Sequence, residues 1–404
     1  MHAKTSIAMH LIPESEYRKR LSAVASIMEK RNLGGVFLSS PTNMKYFTGM
    51  TYIQTERPAG LFITGGLEVY FMGPKLEEEH SMFLSSIISN SYSYFDYPGK
   101  VHPLKQFTRW FHELNGSKDL GVDHTSLYPS VYGFRGMPIS EIMDEEKIVD
   151  ISSSLYDMRR IKSENEQRVL RESAKWANYA HRLLQDYTEP GLFDFQIAHK
   201  ASSDACLAAM NAFGRDYLPP IRYPIDISAG FRGQVGTHSY YPHSLSINRP
   251  IKKDDLLGSG ADGNIDGYHV EIERNLFVGK VTTQMRKYHG LMVEMQQAAI
   301  SALKVGSKFS EIDRLVNSFA KVNDVSQLLL HHSGHCIGLE GHESPFFDVG
   351  DDSLIRENMV FTIEPGLYIP RLGGFRHSDT IIMHKEEPEV ITYYPRDIDD
   401  LIIE

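Results

Sequence analysis

Between Gly258 and Gly279 the chain reads GSGADGNIDGYHVEIERNLFVG, a pattern that few folds accommodate. Turn formers occupy its middle, Asp262-Gly263-Asn264 and Asp266-Gly267. Its second half alternates, so that Glu271 and Glu273 share one strand face while Ile272 and Leu276 point elsewhere. Two carboxylates on one face of a half-buried strand are either a solvated edge or the wall of a site. The remainder of the chain has to decide between them.

A chain of 404 residues with 41% apolar and 11% aromatic content buries a large core and is long enough for two domains. Its 42 basic and 52 acidic residues leave a net charge of −10, which opposes nucleic acid and anionic membrane surfaces and favours small molecules or peptides as partners. Two cysteines, Cys206 and Cys336, are too few for a disulfide framework and point to a reducing, cytoplasmic compartment. No run of eighteen apolar residues occurs and the N-terminus has no secretory apolar core, so a soluble protein is expected.

In the N-terminal part a helical spacing of Tyr17, Leu21, Val24, Ile27 and Met28 stops at Gly34-Gly35. Strand-like segments follow at 36–40, 59–64 and 67–72, with later ones in GVDHTSLYP and KIVDIS and a helical LKQFTRWFHEL before them. This alternation predicts a compact α/β domain over residues 1–155. No glycine pattern suited to phosphates follows any strand. Arg57 lies in the turn before a strand and is either solvated or a binding residue. From Ser163, with Glu166 three residues on, a capping-box spacing opens a long helix and a second domain, 156–404.

That second domain repeats itself weakly. EPGLFDFQIAHK and KVGSKFSEIDRL each follow an amphipathic helix, and each places a Gly six residues before an Ile, Gly191 to Ile197 and Gly306 to Ile312. Helix, helix, strands, twice over, predicts two half-units about a pseudo-twofold with a site between them. The second half-unit is the denser in chemistry. HHSGHCIGLEGHESP sets His335 and His342 seven apart among glycines, Ile363-Glu364-Pro365-Gly366 and GFRHSDT follow, and His238 and His243 precede the opening hairpin.

The pieces Asp266-Gly267-Tyr268 before Glu271 and Arg274, SGHCIGLEGHESP, MVFTIEPGLY, GFRHSDT and MRRIKS resemble, in order, the creatinase, aminopeptidase P, prolidase and methionine aminopeptidase superfamily. The resemblance implies a pita-bread catalytic domain behind a creatinase-type N-terminal domain. Metallopeptidases of this superfamily hold two divalent cations with five ligands. Here the first position falls in Gly258-Ser259-Gly260 without a carboxylate, unless Asp262 replaces it. Glu271, His335 and Glu364 fill the next three, and Ser378 stands at the fifth. Two carboxylates and one imidazole do not neutralise and bridge two hard cations.

These departures are similar to creatinase, a metal-free member, and imply a C–N hydrolase with no cofactor. His243 then acts as general acid and base, Glu271 and Glu364 bind the cationic group, and His335 and His342 orient substrate or water. Arg57, from the N-terminal domain of a partner subunit in a homodimer, would clamp the carboxylate of a small zwitterionic substrate. Thr55 replaces an aromatic residue and no Arg follows His342, so creatine itself is not the substrate implied. Two alternatives stay open. One is an Xaa-Pro peptidase or prolidase-like enzyme with a single Mn, Fe or Zn ion on Glu271, His335 and Glu364, helped by Asp262 or Asp379. The other is a catalytically inactive pita-bread binding protein. Loops such as 218–242 and 344–352 are expected to set specificity.

Overall fold

The computed structural model describes residues 11–115, 118–125, 141, 147–214 and 227–404. Part of two sequence-based expectations, the later portion of GVDHTSLYP and residues 218–226 of the specificity loop, lies outside them. The chain divides into two compact units, the first running to Arg159 and the second from Arg160 to the end.

The first unit contains α1 (Glu14–Arg31), β1 (Leu33–Leu38), α2 (Pro41–Thr48), β2 (Gly60–Thr64), β3 (Val69–Pro74), α3 (Lys75–Leu84), β4 (Asn90–Tyr94), α4 (Pro103–Asn115), β5 (Asp119–Val122), β6 (Ile148–Asp150) and α5 (Ser152–Arg160). Its six strands run in the order β4-β3-β2-β1-β5-β6. Phe37 and Phe62 from adjacent strands meet Phe107 and Phe111 of α4, and these four rings form the centre of the core. LKQFTRWFHEL is helical because Leu104, Phe107 and Phe111 recur at helical spacing on that buried face.

The second unit is built from two helix pairs over one sheet. The first half comprises α6 (Glu164–Asp186), α7 (Asp194–Phe213), β7 (Ile227–Gly230), β8 (Leu256–Ile265) and β9 (Tyr268–Val278). The second half begins with α8 (Thr283–Ala302), α9 (Phe309–Val322), β10 (His335–Cys336), β11 (Glu343–Phe346) and β12 (Val360–Ile363). It ends with β13 (Gly366–Ile369), β14 (Gly373–Arg376), β15 (Ser378–Met383), β16 (Pro388–Val390) and β17 (Ile402–Ile403). The main sheet runs β11-β10-β12-β15-β9-β8-β7, so the halves meet where β9 pairs with β15. This is the pita-bread arrangement.

The internal echo is visible residue by residue. Gly191 and Gly306 both have left-handed φ, +97° and +93°. Both donate backbone hydrogen bonds across the same kind of loop, to the carbonyls of Ile251 and Ile355, and Ile197 and Ile312 are both buried one turn into the next helix. Ser163 caps α6 and Glu166 returns the bond, as the capping box predicts.

One turn expectation fails. Asp262-Gly263-Asn264 does not turn but continues β8, in register with β9; the hairpin turns only at Asp266-Gly267, where both φ values are positive. Gly263 serves packing instead. A Cβ there would lie 2.1 Å from the Ser173 carbonyl oxygen, so its absence lets α6 sit directly on the strand.

Behind the sheet, Arg274 and Asp379 form an ion pair in which both side chains are fully buried. All five guanidinium N–H groups of Arg274 are used, on Asp379 and on the carbonyls of Glu273, Ser378, Tyr394 and Pro395. Asp379 also accepts from Gln296, Thr392 and Arg396. Removing one member leaves an uncompensated buried charge. Asp379→Ala is therefore expected to destabilise the unit by about 3–5 kcal/mol, read as a lower denaturant midpoint; a loss under about 1 kcal/mol would contradict this account of the pair.

Candidate active site

Side chains from β8, β9, β15 and β10, and from the residues that follow β12 and precede β11, converge on one face of the sheet. The alternation of β9 puts Glu271 and Glu273 on that face, opposite Asp262 and Gly260 of β8. β15 presents Ser378 and Thr380 beside them. Glu364 follows β12, His335 opens β10, and His342 lies just before β11.

His335 is 1% exposed, with its Nε2 3.2 Å from Glu364 Oε1 and 3.9 Å from Glu271 Oε2. Its other nitrogen, Nδ1, donates to the Cys336 carbonyl at 3.0 Å, which fixes the ring and aims Nε2 at the carboxylates. Nε2 is buried and its geometry makes no hydrogen bond to any described residue, in spite of the short approach to Glu364. The imidazole of His342 stacks on that of His335 at 3.9 Å between centroids, 18° from parallel. Ser378 Oγ donates to Glu271 Oε1 at 2.8 Å, and Thr380 Oγ1 bonds both the amide and the carbonyl of Glu271.

The electrostatics follow from this crowding. Burial raises the Glu271 carboxyl, and the charge of Glu364 raises it further. Burial works against ionising Glu364 as well, but His335 and Arg376 outweigh it and hold that carboxyl at about 2. Burial alone would lower His335, yet the two carboxylates hold its imidazole at about 9. His342 is lowered by burial and by the adjacent His335.

Sequence reasoning therefore assembled four residues that do meet: Glu271, Glu364, His335 and His342. His243 is exposed, in an irregular segment after a short 3-10 turn, close enough for its charge to act on His342. Arg57 lies in the other unit, paired with Asp96 at 2.7 Å and with Glu56 at 2.5 Å. Asp379, offered as a helper ligand, points to the opposite face and is consumed by Arg274. Asp262 is exposed, across from Glu271, and accepts a bond from Ser228. Two residues escaped the sequence reading. Arg232 makes an ion pair with Glu273, and Tyr368 bridges Arg376 and His331. An Arg-Gly step straight after an apolar strand was the available signal for the first.

Glu271, His335 and His342 offer ligand atoms that all lie within 4.8 Å of one another, a set suited to one divalent cation. Residues 168–385, more than half of the chain, match Metallopeptidase family M24, and residues 20–161 match the Creatinase/Prolidase N-terminal domain. The chain belongs to metallopeptidase family M24. It is 26% identical over 381 residues to an Xaa-Pro dipeptidase of Pyrococcus furiosus, covering 94% of this chain and 99% of that one. The Xaa-Pro dipeptidase structure from Bacillus anthracis superposes with a TM-score of 0.78 at 22% identity over 96% of this chain and all of that one. The N-terminal domain of FACT complex subunit SPT16 from chickpea superposes with a TM-score of 0.72 at 13% identity, over 96% of this chain and 99% of that one. These two likenesses establish the creatinase, aminopeptidase P and prolidase fold and nothing finer.

Membership of a metallopeptidase family overturns the expectation of no cofactor. That expectation rested on the missing carboxylates at 258–260 and at Ser378. Their loss removes ligands for two ions but leaves the Glu271, His335 and Glu364 positions, with a buried and unsatisfied imidazole nitrogen among them. The residues fit one divalent cation. Among the described residues no helix is long and apolar enough to cross a membrane.

In chelator-treated protein, Glu364→Gln removes the nearest negative charge from His335. The His335 pKa is expected to fall from about 9 to near or below the ordinary histidine range, as followed by histidine ring NMR shifts against pH. A value unchanged by the substitution would contradict the proximity described here.

Proposed function

We propose that this chain is a metal-dependent hydrolase of peptide C–N bonds, acting on small peptides of the Xaa-Pro type with one divalent cation in the site. The observation that carries the reading is the convergence of Glu271 from β9, His335 from β10 and Glu364 from just after β12, with the buried Nε2 of His335 left without a hydrogen bond. Relatives named Xaa-Pro dipeptidase that span nearly the whole chain support the substrate class.

Glu271, His335 and His342, whose ligand atoms lie within 4.8 Å of one another, would hold the ion, with Glu364 beside His335 Nε2 as a further carboxylate donor. A divalent cation supplies Lewis acidity there, polarising a carbonyl and lowering the pKa of a water molecule. The protein's own groups do the remaining work. Ser378 holds the Glu271 carboxylate and Thr380 its backbone, and the Cys336 carbonyl takes the Nδ1 proton of His335, so that Nε2 is the nitrogen turned toward the carboxylates. His342 is exposed on one side and held neutral at ordinary pH, so its free nitrogen can orient the peptide through a hydrogen bond. His243, exposed beside it, is assigned the proton transfer to the departing nitrogen.

Chelation followed by dialysis is expected to abolish hydrolysis of glycyl-proline, and added Mn or Zn to restore it. Activity that survives chelation undiminished would sink the reading. His243→Ala is expected to lower kcat by about 10²–10⁴-fold while bound metal, measured by elemental analysis, stays at the wild-type level. Unaltered kcat would remove His243 from the mechanism.

A further inference from the structure

Next to the site just described, the sheet face carries a group of charges that the proposed reaction has not used. Glu273 lies between Gly260 of β8 and Ser378 of β15, in register with both. Of the three residues 258–260, Gly260 is the one whose position opens on the cleft beside β7, and a Cβ on it would come within 3.3 Å of Glu273 Cγ. Glu273 thus stands between the two positions at which the superfamily pattern calls for carboxylate ligands and this chain has none.

Glu273 is not free to take a cation. Arg376, itself 9% exposed, engages both of its oxygens, Nη2 to Oε1 at 2.6 Å and Nε to Oε2. Arg232 reaches the same carboxylate from the other side. Its side chain is 53% exposed, and among the described residues Glu273 is its only ion-pair partner, so most of its N–H groups are open to a cleft of about 140 Å³. The cleft is lined by Ser228, Gly230, Arg232, Gly260, Asp262 and Glu273.

The backbone holds Arg232 in place. It has a φ of +48° and is followed by Gly233 at +73°, where a Cβ would lie 2.0 Å from the Leu245 carbonyl oxygen. A long side chain in the left-handed region beside a glycine that accepts no side chain marks a position where the surrounding fold overrides local preference. The charges on the face also balance. Asp262, Glu271, Glu273 and Glu364 carry four negative charges, and one divalent cation with Arg232 and Arg376 supplies four positive ones. A second divalent cation would leave an excess.

We propose that Arg232, set against Glu273 with Arg376 behind it, is a built-in cation standing where a second metal ion would otherwise sit. The chain then binds one divalent cation, and the open N–H groups of Arg232 receive negative charge from the substrate. This rests on the single-cation reading above and deepens it.

The test is the Mn(II) stoichiometry and affinity of the full-length protein, by calorimetry and elemental analysis, with circular dichroism as the check on folding. Wild type is expected to bind one ion per chain. Gly260→Asp alone is expected to stay at one, because the new carboxylate meets Arg232, and Gly260→Asp with Arg232→Ala is expected to rise to two. Two ions in wild type, or one in a folded double variant, would overturn the inference while leaving the peptidase reading intact. No ion in wild type would end both. Should the double variant not fold, Arg232→Ala decides alone: it is expected to bind the first ion about an order of magnitude more tightly, with Arg232→Lys unchanged. Equal affinity in all three proteins would overturn the inference.

Discussion

The chemistry on the site face of the second unit depends on where β9 lies against β15, and that register is held from the other face by Arg274. Its guanidinium is tied to Asp379 and to four carbonyls, with no donor left over. Because side chains alternate along a strand, fixing Arg274 and Asp379 behind the sheet fixes Glu271, Glu273, Ser378 and Thr380 in front of it. A slip of one residue would bury the carboxylates and expose the guanidinium. The desolvation of this pair is costly, and its return is positional precision where the two half-units join.

On the face so defined, charges are sorted into two compartments. In one, Glu364 and Glu271 lie 3.2 and 3.9 Å from Nε2 of His335, which makes no hydrogen bond among the described residues. In the other, Glu273 is saturated by Arg376 and Arg232. The first compartment suits an added cation, whereas the second already contains its positive charge. The division accompanies the absence of carboxylates at Gly260 and Ser378 in a chain that belongs to a metallopeptidase family.

Much of this was legible in the sequence. Hydrophobic periodicity, the Ser163 and Glu166 cap and the paired Gly191 and Gly306 loops carry local signals that survive into the fold, because each is satisfied within a few residues. The converging set Glu271, His335, His342 and Glu364 could be read from motif order. What could not be read depended on distant partners. Asp262-Gly263-Asn264 looks like a turn until α6 is known to press on Gly263. Asp379 looks like a spare ligand until Arg274 is known to face it. The role of Arg232 emerges only when β7 is laid beside β8 and β9. The cofactor expectation erred for a related reason: counting absent carboxylates showed that two ions lack ligands, but not that the remaining ligands converge on one.

The central claim is that one divalent cation sits among Glu271, His335 and Glu364 and that none sits beside Glu273. Anomalous diffraction from crystals grown with Mn(II) tests it most directly. The account predicts a single anomalous peak per chain within bonding distance of His335 Nε2. A second peak between residues 260 and 273, or a lone peak away from His335, would contradict it.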